Sequence, residues 1–249
     1  MSNLERYEKQ TLFSKIGISG QKKLLSSRVG ILGCGALGTN LANILCRSGV
    51  GEIIIADRDR VELSNLQRQM LFNENDVGLP KAIRAARRLC KINSDIKIEG
   101  FFQSVDRSNF RQIFSECDLI FDATDNFPAR FMLNEACLES GIPWVHSAVT
   151  ASCGQSMLFI PGKTACFGCL VPEYTESESF PTVHNSGILT STVTALTSIS
   201  ALTGMRFLIE KKADPVMIFL DIWETRIDKM KVKTDESCKY CRHPKLRRK

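Results

Sequence analysis

The chain has no apolar leader. Met1 to Gln10 is polar, so nothing there reads as a secretory signal. It has no internal repeat and no low-complexity tract, which excludes a repeat array. It also lacks a real charge imbalance. Its formal net charge is +6, with 33 Lys and Arg against 27 Asp and Glu. Five of the positives, Arg242, Lys245, Arg247, Arg248 and Lys249, crowd the last eight residues, where there is no acid. The rest is close to neutral, so no nucleic-acid partner is expected and the tail reads as a solvated end. Only one uncharged stretch, Asn185 to Met205, nears membrane-spanning length, and it is loaded with Ser, Thr and Gly. A buried helix is expected there, and no membrane partner. Ten cysteines without a secretory signal imply a reducing, cytoplasmic setting. Spaced cysteine pairs then mean metal before disulfide.

What is present starts with Arg28 to Asp59. An apolar run, Val29-Gly30-Ile31-Leu32, leads into Gly33-Cys34-Gly35-Ala36-Leu37-Gly38. A helical pattern follows to about Ser48, then Ile53-Ile54-Ile55-Ala56, ending on Asp57. This is a βαβ unit built to hold a nucleotide. Gly33 allows the tight turn, Gly35 lets phosphates approach the backbone, and Gly38 lets helix and strand pack closely. The helix N-terminus suits phosphate. Asp57, 24 residues after Gly33, can accept bonds from ribose hydroxyls. A glycine turn that only packs a helix on a sheet is the bland alternative. The motif leaves NAD, FAD and ATP open.

Strand–helix alternation continues to about residue 150, which predicts a parallel sheet with helices on both faces. Residues 1–27 read as an amphipathic helical arm. Asp59 to Gly78 is polar and without clear period. Pro80-Lys81 opens a helix to about Asn93, with Pro80 in the first turn. Strands follow at Ile96–Phe102, Asp118–Ala123, Pro143–Val149 and Gly154–Ile160. Asp106 is the expected cap of a helix through Ser115, and another helix runs from Pro128 to Ser140. The acidic segment Glu173 to Asn185 reads as a mobile loop. Val216–Ile222 and Thr225–Val232 read as a closing strand pair. The expected fold is α/β: a Rossmann-like doubly wound, mostly parallel sheet with a C-terminal antiparallel extension and a four-cysteine zinc site. One domain over 1–249 is expected, with a nucleotide-binding core at 28–160. The crossover loop, long helix, closing strands and zinc knuckle occupy 161–249.

Cys166-Phe167-Gly168-Cys169 and Cys238-Lys239-Tyr240-Cys241 are two CxxC knuckles. Together they supply four thiolates for one structural Zn²⁺, pinning the C-terminal region to the middle of the chain. A redox dithiol competes but usually needs only one pair. Cys46, Cys90, Cys117 and Cys137 fall on apolar faces as small hydrophobes, and His243 reads as a bystander.

Ser64-Asn65-Leu66-Gln67-Arg68-Gln69, Lys81 and Thr124-Asp125-Asn126 choose among the nucleotides. In a doubly wound sheet, strand ends and their loops converge on one crevice. Arg68 and Lys81 there offset triphosphate charge, and Asp125 can hold Mg²⁺. An NAD enzyme has no need for this set. Taken singly, Arg68 and Lys81 read as solvated surface and Asp125 as a helix cap.

These residues carry a resemblance from Arg6-Tyr7 to Cys241. The chain resembles the E1-like adenylyltransferases, the ThiF/MoeB/HesA family, through RY, GCGALG, Asp57-Arg58-Asp59, SNLQRQ, GLPKA, TDN and both CxxC pairs. The resemblance implies activation of a carboxylate with ATP and Mg²⁺, giving an acyl-adenylate and pyrophosphate, by a homodimer. Asp57 would bind ribose, with Gly35 and Ala36 lining the nucleotide turn. Asn65, Arg68 and Lys81 would contact phosphates, within a nucleotide set that also takes in Gly33, Gly38, Asp59, Ser64, Leu66, Gln67 and Asn126. Asp125 would bind Mg²⁺, and Arg6 would reach across the dimer to the partner's ATP. The usual acceptor is the C-terminal glycine of a ubiquitin-like sulfur carrier.

One departure stands out. Many family members carry a cysteine in the crossover loop, whereas Phe180 to Gly187 has none, and Thr182 or Val183 takes its place. Thioester transfer through that loop is not expected. Cys153, the nearest spare thiol, reads as packing at a strand edge. The missing thiol keeps a second acceptor class open, a small-molecule carboxylate such as the pyridinol acid of the iron-guanylylpyridinol cofactor. His184 and the Glu173–Glu178 loop are guesses for acceptor contacts. An inactive E1-like binding subunit and an NAD-dependent oxidoreductase are the remaining alternatives.

Overall fold

The structure is a computed structural model that describes residues 4–171, 186–212 and 214–241. A short arm comes first, with a 3₁₀ turn at Glu5–Tyr7 followed by α1 (Glu8–Thr11) and α2 (Gly17–Leu25). The nucleotide half then runs β1 (Arg28–Leu32), α3 (Ala36–Arg47), β2 (Glu52–Ala56), α4 (Lys81–Ile92) and β3 (Lys97–Phe101). It continues through α5 (Phe110–Phe114), β4 (Leu119–Asp122), α6 (Phe127–Ser140) and β5 (Trp144–Thr150). Next come β6 (Cys153–Phe159), α7 (Phe167–Leu170), α8 (Thr190–Glu210), β7 (Val216–Asp221) and β8 (Arg226–Lys231).

The strands form one sheet in the order β3-β2-β1-β4-β5-β6-β7-β8. From β3 to β5 the pairing is parallel, and β6, β7 and β8 add on antiparallel. This is the expected doubly wound sheet with its antiparallel extension. Ile53, Ile54 and Ile55 are all fully buried, as an apolar run in a strand covered on both faces must be. Leu37, Leu41 and Leu45, one helical turn apart, form the buried stripe of α3.

α8 is the one helix among the described residues long and apolar enough, by length and composition, to cross a membrane. It lies instead against the sheet and α3, with Val193, Leu196 and Ala201 fully buried. Its buried hydroxyls find partners inside the fold. Ser200 Oγ bonds Ser156 Oγ, and Ser147 Oγ bonds Ser200 Oγ, both at 2.9 Å. The buried helix expected at Asn185–Met205 therefore exists, shifted to Thr190–Glu210.

Three local expectations need correction. Asp106 does not cap α5. Its carboxylate bonds Ser108 and closes a turn, so the helix starts only at Phe110. Pro80 is the N-cap of α4 rather than a first-turn residue, because its ψ of 124° is extended. Cys90 and Cys153 are exposed, while Cys46, Cys117 and Cys137 are buried as expected. Cys153 is not on an edge strand either, since β6 pairs on both sides.

α4 is anchored through Asp76, which is fully buried. Its carboxylate accepts from Arg84 Nε at 2.8 Å, from Arg88 Nη2 at 2.5 Å and from the Asn73 backbone N–H at 2.9 Å. Burial pushes this carboxyl up, but the Asn73 N–H and the two guanidiniums outweigh it and hold it below the usual carboxylate range. A carboxyl depressed by folding adds stability above its unfolded pKa, near 4, and the contribution fades as pH falls through the folded value. Asp76→Ala is expected to cost about 2 kcal/mol at pH 7. That is less than the figure for a fully buried pair, because both guanidiniums reach solvent. The gap between urea melts of wild type and variant should begin to narrow below about pH 4 and close only as pH falls through the lower folded value. A gap unchanged at low pH would contradict this ion-pair account.

Candidate functional site

The site starts where β1 ends. Gly33 has φ +96°, and a Cβ there would lie 2.6 Å from the Ala123 carbonyl oxygen. A Cβ on Gly38 would lie 2.0 Å from the Gly33 carbonyl oxygen. A side chain at Gly33 would push the turn off the end of β4, and one at Gly38 would push α3 off the turn. At Gly35 the situation is reversed: the nearest atom a Cβ would meet is Gln69 Nε2, at 3.8 Å. α3 has no side-chain cap at its N-terminus, so its first N–H groups are available to an anion.

Asp57 follows β2 and closes the turn from the other side. Its Oδ2 accepts from Cys34 N at 2.5 Å and its Oδ1 from Asp59 N at 2.6 Å. Burial raises the Asp57 carboxyl, against the pull of those two N–H groups and of Lys81. Lys81, the first residue of α4, is 7 % exposed, which discards its reading as solvated surface. Its Nζ lies 3.5 Å from Asp59 Oδ2. A cation is thus held beside the glycine turn at a second helix N-terminus.

Ser64 to Gln69 forms a turn over this crevice. Asn65 is buried, and its Oδ1 accepts from Glu62 N at 3.2 Å, closing a 3₁₀ turn over Leu63–Asn65. A phosphate takes only donors, so the NH₂ end of Asn65 is the one with a role left. Arg68 is partly exposed and donates to Ser64 O at 3.0 Å. Gln67 Nε2 bonds Thr190 Oγ1 at 3.0 Å, and Thr190 Oγ1 bonds Gln67 O at 2.7 Å. These two bonds fasten the turn to the start of α8. Ser64 is exposed and Leu66 partly so.

Asp125 and Asn126 lie beyond the end of β4, next to the Ala123 that touches Gly33. Asn126, not Asp125, caps α6, its Oδ1 accepting from Ala129 N at 2.9 Å. Asp125 is exposed, and its Oδ1 accepts from Asn126 Nδ2 at 3.2 Å. Below them is a buried network that the sequence reading missed. Asp122 Oδ1 accepts from Thr124 Oγ1 at 2.6 Å and from Thr124 N at 3.0 Å, and Asp122 Oδ2 pairs with His146 Nδ1 at 2.9 Å. Arg130 Nε is 3.4 Å from Asp122, and Arg130 Nη2 donates to Thr124 O at 2.8 Å. Burial works against the Asp122 charge, but His146, Arg130 and Thr124 outweigh it and hold the carboxyl below its ordinary range. Burial pushes the His146 ring below its ordinary value, against the pull of Asp122. The network fixes the Thr124-Asp125-Asn126 loop. Its only sequence signal was an acid at the end of an apolar strand.

Arg6 does not join this site within one chain. It donates to Asp95 Oδ2 and to Ile92 O, both at 3.1 Å. Those acceptors lie at the C-terminal end of α4, about 16 Å along the helix from Lys81. An acid and the negative end of a helix dipole draw the guanidinium there. Thr182, Val183, His184 and Glu173–Glu178 lie outside the described residues, as do His243 and the basic tail.

The two CxxC pairs meet on α6. Sγ separations are 3.9 Å for Cys166–Cys169, 3.7 Å for Cys166–Cys238 and 3.4 Å for Cys169–Cys241, and all four lie within 4.8 Å of one another. Tetrahedral Zn²⁺ with bonds of about 2.3 Å spaces its sulfurs about 3.8 Å apart. Asp235 N points at Cys169 Sγ from 3.4 Å, the kind of donor that supports a bound thiolate. The donor set fits a closed structural zinc site.

The model of the ThiF family matches residues 7–240. The sulfur carrier protein ThiS adenylyltransferase of Bacillus subtilis is 38% identical over 240 residues, spanning 95% of this chain and 71% of that protein. The SAMP-activating enzyme E1 of Haloferax volcanii is 35% identical over 242 residues, spanning 96% and 89%. Among solved structures, E. coli MccB with ATP matches with a TM-score of 0.84 at 26% identity, covering 96% of this chain and 74% of that one.

Proposed function

The chain belongs to the ThiF family, and on that premise we propose that it is an ATP-dependent adenylyltransferase that activates a carboxylate. One carboxylate oxygen attacks the α-phosphorus of ATP, the bond to the bridging oxygen breaks, and pyrophosphate leaves. The acyl-adenylate is the product. No proton moves, so no general base is needed; the work is positioning and charge neutralisation.

The observation that carries the reading is the grouping of Asp57, Lys81 and the open N-terminus of α3 around one glycine turn. Asp57 accepts from the ribose. Lys81, Arg68 and the NH₂ end of Asn65 face the phosphates. Asp125 has a carboxylate oxygen that would hold Mg²⁺, and the ion would supply charge neutralisation at the phosphates. Zn²⁺ at the four cysteines holds the fold and takes no part in the chemistry. The chain works as one unit in the cytoplasm, as a homodimer in which Arg6 serves the partner's nucleotide. Its place at the far end of α4 is compatible with that role.

The acceptor is the C-terminal glycine of a ubiquitin-like carrier protein. The relatives named for sulfur carriers and for SAMP activation support this class. The absence of cysteine from Phe180 to Gly187 favours a second reading, a small-molecule carboxylate, and speaks against a loop thioester. ATP–pyrophosphate exchange, run separately with carriers ending in Gly-Gly and with a pool of small cofactor-precursor acids, separates the two. Exchange that needs the carrier is expected; exchange that needs only a small acid would move the assignment to the second class.

A further inference from the structure

Gln69 closes the Ser64–Gln69 turn and has no role in the reading above. It is 3 % exposed. Its backbone is fixed, with Gln69 N donating to Asn65 O at 2.9 Å and Phe72 N donating to Gln69 O at 3.1 Å. Its carboxamide is not. Among the described residues Oε1 is buried without any hydrogen-bond partner. An amide can turn over, but either orientation leaves one polar end buried and unpaired. A methionine of similar length would fill the same space without that cost, because an unmade buried hydrogen bond weighs against folding. Stability therefore does not explain an amide here.

Its surroundings do. Nε2 is the nearest atom to the space a side chain on Gly35 would occupy. Gly35 is the N-cap of the twelve-residue helix α3, which carries no side-chain cap. An anion seated on that helix end meets α3 N–H groups from one side and the Gln69 carboxamide from the other. Phosphate oxygens accept only, and Nε2 donates only. We propose that Gln69 is a nucleotide-binding residue whose Nε2 donates to a phosphate oxygen of ATP seated over Gly35, at the N-terminus of α3. This rests on the adenylation reading. It adds a neutral donor to the cations already named and works at short range, through direction rather than charge.

The test uses the full chain and two variants, Gln69→Met and Gln69→Glu, with direct binding of ATP, AMP and adenosine by calorimetry and with melting temperatures. Gln69→Met is expected to melt at or above the wild-type temperature and to bind ATP and AMP roughly tenfold more weakly. Adenosine, which has no phosphate, should bind both proteins alike. Gln69→Glu places an acid against the phosphate and should weaken ATP further, with part of the loss recovered at high salt. Unchanged ATP affinity in a folded Gln69→Met protein would overturn the assignment, and so would an equal loss for adenosine. A lower melting temperature accompanying the weaker binding would make the residue structural and also overturn it. A wild-type chain that binds no ATP removes the adenylation reading itself, a result distinct from all of these.

Discussion

Asp125→Ala is expected to lower ATP–pyrophosphate exchange by on the order of a hundredfold to a thousandfold, while the melting temperature stays within a degree or two of wild type. The two halves of that expectation come from different observations. Asp125 is exposed and among the described residues it bonds only its neighbour Asn126, so little packing or bonding is lost with it. Asn126 keeps the α6 cap through Ala129, and the Asp122–Arg130–His146 network still holds the loop from below. What goes is the carboxylate that the proposal assigns to Mg²⁺, and with it the neutralisation that a transferring phosphoryl group requires. Asp125→Asn tests the charge with the shape retained, and a large loss is expected there too. If either variant exchanged pyrophosphate at the wild-type rate, Asp125 would revert to a surface residue of the α6 turn. An inactive binding subunit would gain from the same result.

Zinc removal is the second large effect. The purified chain should carry about one Zn²⁺, bound by Cys166, Cys169, Cys238 and Cys241, and stripping it should cost about 4 kcal/mol. At about 2–4 °C per kcal/mol for a chain of this size, the melting temperature falls by roughly 10 °C. The site ties the CxxC of α7 to Cys238 and Cys241, which follow the last strand and are 72 residues away in sequence, so its loss frees a long closed loop. Cys238→Ser should reproduce the loss in protein never exposed to chelator. Neither treatment should alter the affinity for ATP in the fraction that remains folded, because the cluster packs on Leu138 of α6, well along the helix from Asp125. A metal-free preparation with an unchanged melting temperature would remove the zinc assignment.

What the sequence made legible was whatever is encoded locally. Val29 to Leu32, the Gly33–Gly38 turn and Ile53 to Asp57 each carry their own signal, because a buried parallel strand must be apolar throughout and a tight turn against a phosphate seat must be glycine. The four cysteines were visible for a similar reason: a thiolate pair at CxxC spacing has few other uses. Legibility failed where a side chain's partner is remote. Asp122, Arg130 and His146 stand in three different elements, and nothing in any one of those segments announces the other two. Cys90 and Cys153 were expected to pack, and both are exposed. One residue of helix phase decides the first, and a position at a strand's end decides the second. Arg6 was legible only by resemblance. Its position on Asp95 follows from the charge of that acid and the end of α4, not from any pattern within the arm.

The most direct test of the account is to mix the chain with Mg²⁺, ATP labelled at the α-phosphorus and a carrier ending in Gly-Gly, and to identify the products by mass. The account predicts a carrier heavier by one AMP and the release of pyrophosphate, both absent when Lys81 is replaced by alanine. ADP and orthophosphate in place of AMP and pyrophosphate, or no nucleotide turnover with any carboxylate while NADH binds tightly, would contradict it.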